Sequence, residues 1–90
     1  MNKADLVHAI AEEARVKKSD AEAMLKAFTD VIMKAVATGD KVSLVGFGSF
    51  HSITRQARPG RNPASGAKIT IPSKTVPKFT PGKEFRDLLN

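Results

Sequence analysis

The chain has 90 residues and no cysteine, and its 15 Lys and Arg residues outnumber its nine Asp and Glu residues, which gives a net charge of +6. This length suffices for one small domain with a marginal core, so an oligomer interface is the expected source of further stability. Without cysteine, disulfides and thiolate metal ligands are excluded, and two histidines are too few for a histidine-rich metal cluster. No apolar stretch has the length of a signal peptide or a transmembrane helix, so the sequence predicts a soluble intracellular protein that needs no cofactor.

Residues 1–39 carry the pattern of two amphipathic helices. Apolar residues recur every three or four positions from Leu6 to Ala14, after Asn2 as a candidate N-cap. A Ser19–Glu22 capping-box pattern precedes the second helix, and Gly39 is the left-handed residue expected just beyond its end. The apolar stripe of the second helix consists of Ala21, Met24, Leu25, Phe28, Ile32, Ala35 and Val36.

After Asp40 the pattern changes to that of short strands. Residues 40–54 and 68–80 are predicted to form an antiparallel sheet. The intervening residues 55–67 contain no large apolar side chain, so we expect them to form an extended two-stranded arm with its tip near residues 62–66. Thr80-Pro81 fits a helix start, and residues 81–90 are predicted to form a C-terminal helix. The fold class is therefore α+β, in a single domain over residues 1–90.

Positive charge is concentrated in the second half of the chain. Residues 1–45 carry seven basic and seven acidic side chains, whereas the 43 residues from Lys41 to Lys83 carry eight basic side chains and no acidic one. Ordinary soluble surfaces mix charges of both signs, so this segment predicts a polyanionic partner. The alternative is a highly soluble basic domain without such a partner.

The basic arm has the composition expected of a ribbon that enters a DNA groove. Arginine, which recurs at positions 55, 58 and 61, binds phosphate bidentately. In a regular strand this spacing alternates between the two faces, so a common face requires a bulge near Pro59-Gly60. Pro63 lies at the predicted tip, either as an apolar wedge between base steps or only as part of a turn.

Two motifs, Gly46-Phe47-Gly48-Ser49-Phe50 and Gly60-Arg61-Asn62-Pro63, follow each other at a distinctive spacing. With them the sequence closely resembles the HU family of bacterial histone-like proteins, which is related to the integration host factor subunits. The resemblance extends over the whole chain. It implies an intertwined homodimer with a helical base, a short antiparallel sheet and two protruding β-ribbon arms. The implied function is architectural binding of double-stranded DNA without sequence specificity, which bends and compacts DNA in the cytoplasmic nucleoid and prefers bent, nicked or flexible duplex.

The same resemblance implies roles for particular residues. Pro63 would intercalate between base pairs, and Phe47, Phe50 and Phe79 would pack in the dimer core. The implied DNA-binding residues are Lys3, Arg55, Arg58, Arg61, Asn62, Pro63, Lys68, Lys74, Lys78, Lys83 and Arg86. The chain departs from the family pattern between its two helices, where Arg15 replaces a common glycine and Lys17 replaces the usual Ser or Thr cap. Ser19 would then cap the second helix and start it late.

Other functions remain as alternatives. A subunit of a sequence-specific, heterodimeric DNA-bending protein would share the motifs, and an RNA-binding or ribosome-associated protein would share the charge, although the chain has no Tyr or Trp to stack unpaired bases. We expect no enzyme, because the chain lacks a cysteine nucleophile and a Gly-rich phosphate loop, and His8 and His51 lie on different predicted elements. We expect no membrane partner, because the basic residues fall mainly on strands and loops rather than on an amphipathic helix.

Overall fold

A computed structural model describes residues 1–90, and the chain divides into a helical unit, Met1–Lys34, and a sheet unit, Ala35–Asn90. The helices span Lys3–Ala14 (α1), Lys18–Ala37 (α2) and Lys83–Asp87 (α3). The strands span Val42–Leu44 (β1), Gly48–Arg55 (β2), Arg58–Arg61 (β3), Lys68–Ile71 (β4) and Lys74–Pro81 (β5). A three-stranded antiparallel sheet has the order β1-β2-β5, and β3 pairs with β4 in a separate two-stranded ribbon. The predicted α+β class is confirmed, and no helix is long and apolar enough to cross a membrane.

Helix α1 begins with a complete capping box. Oδ1 of Asn2 accepts a hydrogen bond from the backbone N–H of Asp5 at 2.9 Å, and Oδ2 of Asp5 accepts one from the backbone N–H of Asn2 at 3.1 Å. These bonds satisfy donors that the first helical turn leaves without partners, and the carboxylate lies at the positive end of the helix dipole. The prediction of Asn2 as the N-cap is confirmed.

The turn between α1 and α2 differs from the prediction. Helix α2 begins at Lys18, so Ser19 lies inside its first turn and the predicted Ser19–Glu22 capping box is wrong. The carbonyl oxygen of Lys17 accepts a hydrogen bond from the N–H of Ala21 at 3.0 Å, so the helical bonding pattern already starts before Ser19. Arg15, which ends α1, has a φ of +58°, in the left-handed region where a Cβ atom is strained.

We expect Arg15→Gly to raise the free energy of unfolding by about 0.5–1 kcal/mol relative to Arg15→Ala, because glycine adopts this φ without strain. Arg15→Ala is the matched control, since it removes the same charge and keeps the Cβ atom. Urea unfolding followed by far-UV circular dichroism measures both variants. Equal stability of the two would show that the left-handed Arg15 stores no strain.

Helix α2 ends in a Schellman motif, as Gly39 predicts. Gly39 has a φ of +87°, and its N–H donates to the carbonyl of Val36 at 3.0 Å. The N–H of Asp40 donates to the carbonyl of Ala35 at 2.9 Å, so the last carbonyls of the helix have partners.

An ion pair lies on the exposed surface of α2, one helical turn apart. The Lys26 Nζ atom donates to Oδ2 of Asp30 at 2.7 Å, which lowers the pKa of Asp30 and raises that of Lys26. Because both side chains are exposed to solvent, this pair adds little to stability.

The sheet pair β2–β5 continues into the ribbon pair β3–β4 through connections of equal length. Strands β2 and β5 pair as far as Arg55 opposite Lys74, and β3 and β4 resume with Arg58 opposite Ile71, so two residues separate the strands on each side. The bulge predicted near Pro59-Gly60 is absent, since these residues pair directly with Thr70 and Ile69. Each strand of a two-stranded ribbon is an edge strand, which tolerates the missing N–H of proline. Residues 68–71, predicted to belong to the sheet, pair instead within the ribbon.

The C-terminal helix begins later than Thr80-Pro81 predicts. Both residues belong to β5, where they pair with Ser49 and Gly48, and Gly82 is the N-cap of α3. The Gly82 N–H donates to the carbonyl of Phe47 at 2.8 Å. Because the sheet bonds extend β5 to Pro81, the helix starts two residues beyond the proline signal.

Candidate nucleic-acid interface

A cluster of phenylalanine rings covers one face of the three-stranded sheet. Phe50 and Phe79 lie opposite each other on β2 and β5, with ring centroids 4.8 Å apart. Phe47 lies 5.2 Å from Phe79 and 5.7 Å from Phe85 of α3, again between ring centroids. Since side chains alternate along a strand, the neighbours of Phe50 and Phe79 point to the opposite face.

The face opposite the phenylalanines is basic. It carries three predicted DNA-binding residues: Arg55 lies directly opposite Lys74, at the end of the sheet nearest the ribbon, and Lys78 lies opposite His51. Strands β2 and β5 contain no acidic residue. With no carboxylate on these strands to neutralise them, these side chains make a positive surface that favours a polyanion. We call it the basic face.

His51 is a residue of this face for which the sequence predicted no functional role. Its Nδ1 atom is buried and has no hydrogen-bond partner. Its strand partner could not be recognised in the sequence, because the Lys78 opposite it is 27 residues away along the chain. The pairing places the imidazole ring opposite Lys78 on the basic face, with the Ile53–Val76 pair between them and the Arg55–Lys74 pair.

The ribbon separates the two distal arginines. Arg61 lies opposite Lys68 on one face, whereas Arg58 lies opposite Ile71 on the other. A common face would require a bulge, and the regular register explains why the two arginines do not share one. Basic groups therefore project from both sides of the ribbon.

The tip of the arm is a hydrogen-bonded turn around Asn62. The Asn62 N–H donates to the carbonyl of Ala67 at 2.8 Å, and the Asn62 carbonyl accepts from the N–H of Gly66 at 2.7 Å. Its side-chain Oδ1 accepts from the N–H of Ala64 at 2.8 Å, which forms an Asx-turn. These bonds leave Pro63 exposed at the end of the arm. Asn62, predicted only as a DNA-binding residue, thus also shapes the turn through Oδ1.

The remaining predicted DNA-binding residues lie outside the strands. Lys83 and Arg86 are exposed on α3 in the sheet unit, and Lys3 is exposed at the start of α1 in the helical unit. No group of three or more His, Asp or Glu side chains is placed to hold a metal ion.

Comparison with known proteins gives full-length matches. The family model described as bacterial DNA-binding protein matches residues 1–90. The DNA-binding protein HU of Nostoc sp. is 54% identical over 87 residues, which cover 97% of this chain and 93% of that protein. HU of Clostridium pasteurianum is 49% identical over 90 residues, which cover 100% of this chain and 99% of that protein. A cocrystal structure of Anabaena HU with DNA has a TM-score of 0.90 and 53% identity, and the alignment covers 99% of this chain and 97% of that one.

The α+β fold and these matches define a bacterial DNA-binding protein. The chain belongs to the HU family. The relatives named above are described as DNA-binding proteins and not as enzymes.

Proposed function

We propose that this protein is a nucleoid-associated architectural protein of the bacterial cytoplasm, which binds double-stranded DNA as a homodimer, without sequence specificity, and bends and compacts it. The observation that carries the proposal is the arrangement of cations on a β-ribbon and the adjoining basic face, in a segment with no acid from Lys41 to Lys83. The Anabaena HU structure with DNA supports DNA as the polyanion.

The apolar surface of the single chain supports the homodimer. The buried apolar core consists only of Val7, Ala11 and Ala21, all in the helical unit. Large apolar side chains on α2 are instead about half exposed or more: Met24, Phe28, Val31 and Met33. A second copy of α2 would cover this surface and supply the core that a 90-residue chain lacks alone. Phe47 is 43% exposed although its ring neighbours Phe79 and Phe85, and a second copy of the chain would bury it in the same way.

The proposed mechanism separates affinity from bending. Arg55, Arg58, Arg61 and the lysines near them bind phosphates, which gives affinity without reading base identity. The two Pro63 side chains of the dimer enter between base steps in the minor groove and kink the duplex. Bending a short site costs on the order of 1–6 kcal/mol, which the additional phosphate contacts of the bent duplex offset. Bent, nicked or flexible DNA is preferred because its deformation costs less.

The salt dependence of binding tests the phosphate contacts. Arg58→Ala and Arg61→Ala should each flatten the plot of log affinity against log salt by about one unit for each phosphate that is no longer bound. The reduction in affinity should be similar on duplexes of different sequence. Lys17→Ala is the matched control, because it removes an exposed cation from the helical unit, outside the proposed site. Unchanged slopes in both arginine variants would show that these side chains bind no phosphate.

A further inference from the structure

We infer that His51 binds a DNA phosphate as a neutral hydrogen-bond donor, through the N–H of Nε2, and so adds affinity that does not fall with salt. The inference rests on the proposed binding of duplex DNA, and it assigns a role to a side chain of the basic face that carries no fixed charge. When lysine or arginine binds a phosphate, counterions leave the DNA, so that contribution to affinity falls as the salt concentration rises. A neutral donor releases no counterion.

The register places the His51 ring between two lysines. Lys78 lies directly opposite His51 on β5. On the other side of β2, Val42 pairs with Phe50, and the same register continued by one residue places Lys41 next to His51. Strands β1, β2 and β5 contain no acidic residue that could pair with the ring. A phosphate that is attracted to the two lysines would therefore lie within reach of the imidazole.

The two ring nitrogens of His51 lie in different surroundings. Nδ1 is buried and has no hydrogen-bond partner, whereas the residue as a whole is partly exposed, so Nε2 is the nitrogen that a ligand can reach. A neutral imidazole carries one N–H and one bare nitrogen. Because a buried N–H without an acceptor is unfavourable and rare in proteins, the hydrogen belongs on Nε2. The accessible nitrogen is then a donor, which suits the oxygen of a phosphate.

The burial of Nδ1 also acts against a charged ring. Protonation would place a second N–H on Nδ1, where it has no acceptor, and would add a third positive charge beside Lys78 and Lys41. A phosphate at Nε2 would attract that charge. The attraction between groups open to solvent is nevertheless weak compared with the cost of burying an unpaired donor. His51 therefore meets the phosphate as a donor without charge.

The salt dependence of binding separates a neutral donor from a cation. His51→Leu removes the donor and keeps an apolar side chain of comparable bulk, whereas His51→Gln keeps an uncharged N–H donor. Dissociation constants for one duplex are measured at neutral pH over a series of salt concentrations. His51→Leu should weaken binding by about fivefold at every salt concentration, so that the plot of log affinity against log salt keeps its slope. His51→Gln should retain most of the wild-type affinity.

Lys78→Ala is the matched control, because Lys78 lies directly opposite His51 on the same face. It removes a cation rather than a neutral donor. We expect it to flatten the salt plot by about one unit for each phosphate that is no longer bound. The two positions should thus differ in slope although they are neighbours.

Nitrogen NMR of the imidazole rings reads the state of His51 without any variant. The chain has two histidines, and His8, which pairs with Glu12 in the helical unit, is the internal reference. In the complex with duplex DNA, the His51 ring should give the well-separated nitrogen signals of the neutral Nε2–H form. A doubly protonated His51 ring in the complex, or a His51→Leu variant with unchanged affinity or a flattened slope, would overturn the inference while DNA binding itself stands. A wild-type protein that does not bind the duplex would instead overturn the proposed function.

Discussion

Gly48→Ala should lower the free energy of unfolding by about 2–5 kcal/mol, because the added Cβ atom would both strain the backbone and overpack its surroundings. Gly48 is buried at the start of β2 and has a φ of +152°. A Cβ atom there would lie 2.5 Å from the carbonyl oxygen of Thr80 and 2.7 Å from the ring of Phe79. Either β5 or the phenylalanine cluster would have to move. Urea unfolding followed by circular dichroism measures the decrease in stability.

Gly39→Ala is the control for this prediction. Gly39 also has a positive φ, but no atom lies within 4 Å of an added Cβ. This substitution should therefore cost only the strain of the left-handed backbone, about 1 kcal/mol. Equal decreases in the two variants would mean that the close contacts of Gly48 with β5 are relieved without cost.

Pro63→Ala should reduce the bend imposed on DNA by about half or more while weakening binding less than about fivefold, because the wedge acts on base stacking and phosphate contacts supply the affinity. The hydrogen bonds of the tip join Asn62 to Ala64, Gly66 and Ala67, so the turn does not depend on the proline ring. Energy transfer between dyes at the two ends of a duplex measures the bend, and a filter or anisotropy titration measures the affinity.

Ser65→Ala is the matched variant at the tip. It removes the hydrogen bond that the Ala67 N–H donates to Oγ of Ser65 at 3.3 Å but retains Pro63. We expect it to bend DNA as the wild-type protein does. If Pro63→Ala bent DNA as much as the wild-type protein does, the proline would only shape the turn and would not act as a wedge.

The helix ends were predictable because their signals are local. Asn2 and Asp5 are three residues apart, and Gly39 acts within its own turn, so neighbouring residues alone indicate both caps. Two other local signals were overridden by neighbouring backbone bonds. The hydrogen bond from the Ala21 N–H to the Lys17 carbonyl begins the helical pattern of α2 before Ser19. Pairing with β2 keeps Pro81 in a strand.

The arm was predictable by composition, but its faces were not. A run without acids or large apolar side chains is visible in the sequence, whereas register depends on which residues meet across two distant strands. The spacing of Arg58 and Arg61 therefore suggested a bulge, whereas the ribbon pairs in regular register and places the two arginines on opposite faces.

The bend that the wild-type protein imposes on a duplex tests the central claim most directly. The measurement is energy transfer between end-labelled dyes at saturating protein, on an intact duplex and on one with a central nick. Architectural binding predicts that transfer rises in both complexes and that the nicked duplex binds more tightly, because its deformation costs less. Saturated binding with no change in transfer and no preference for the nick would contradict the account and leave the basic face as a site for straight duplex or other polyanions.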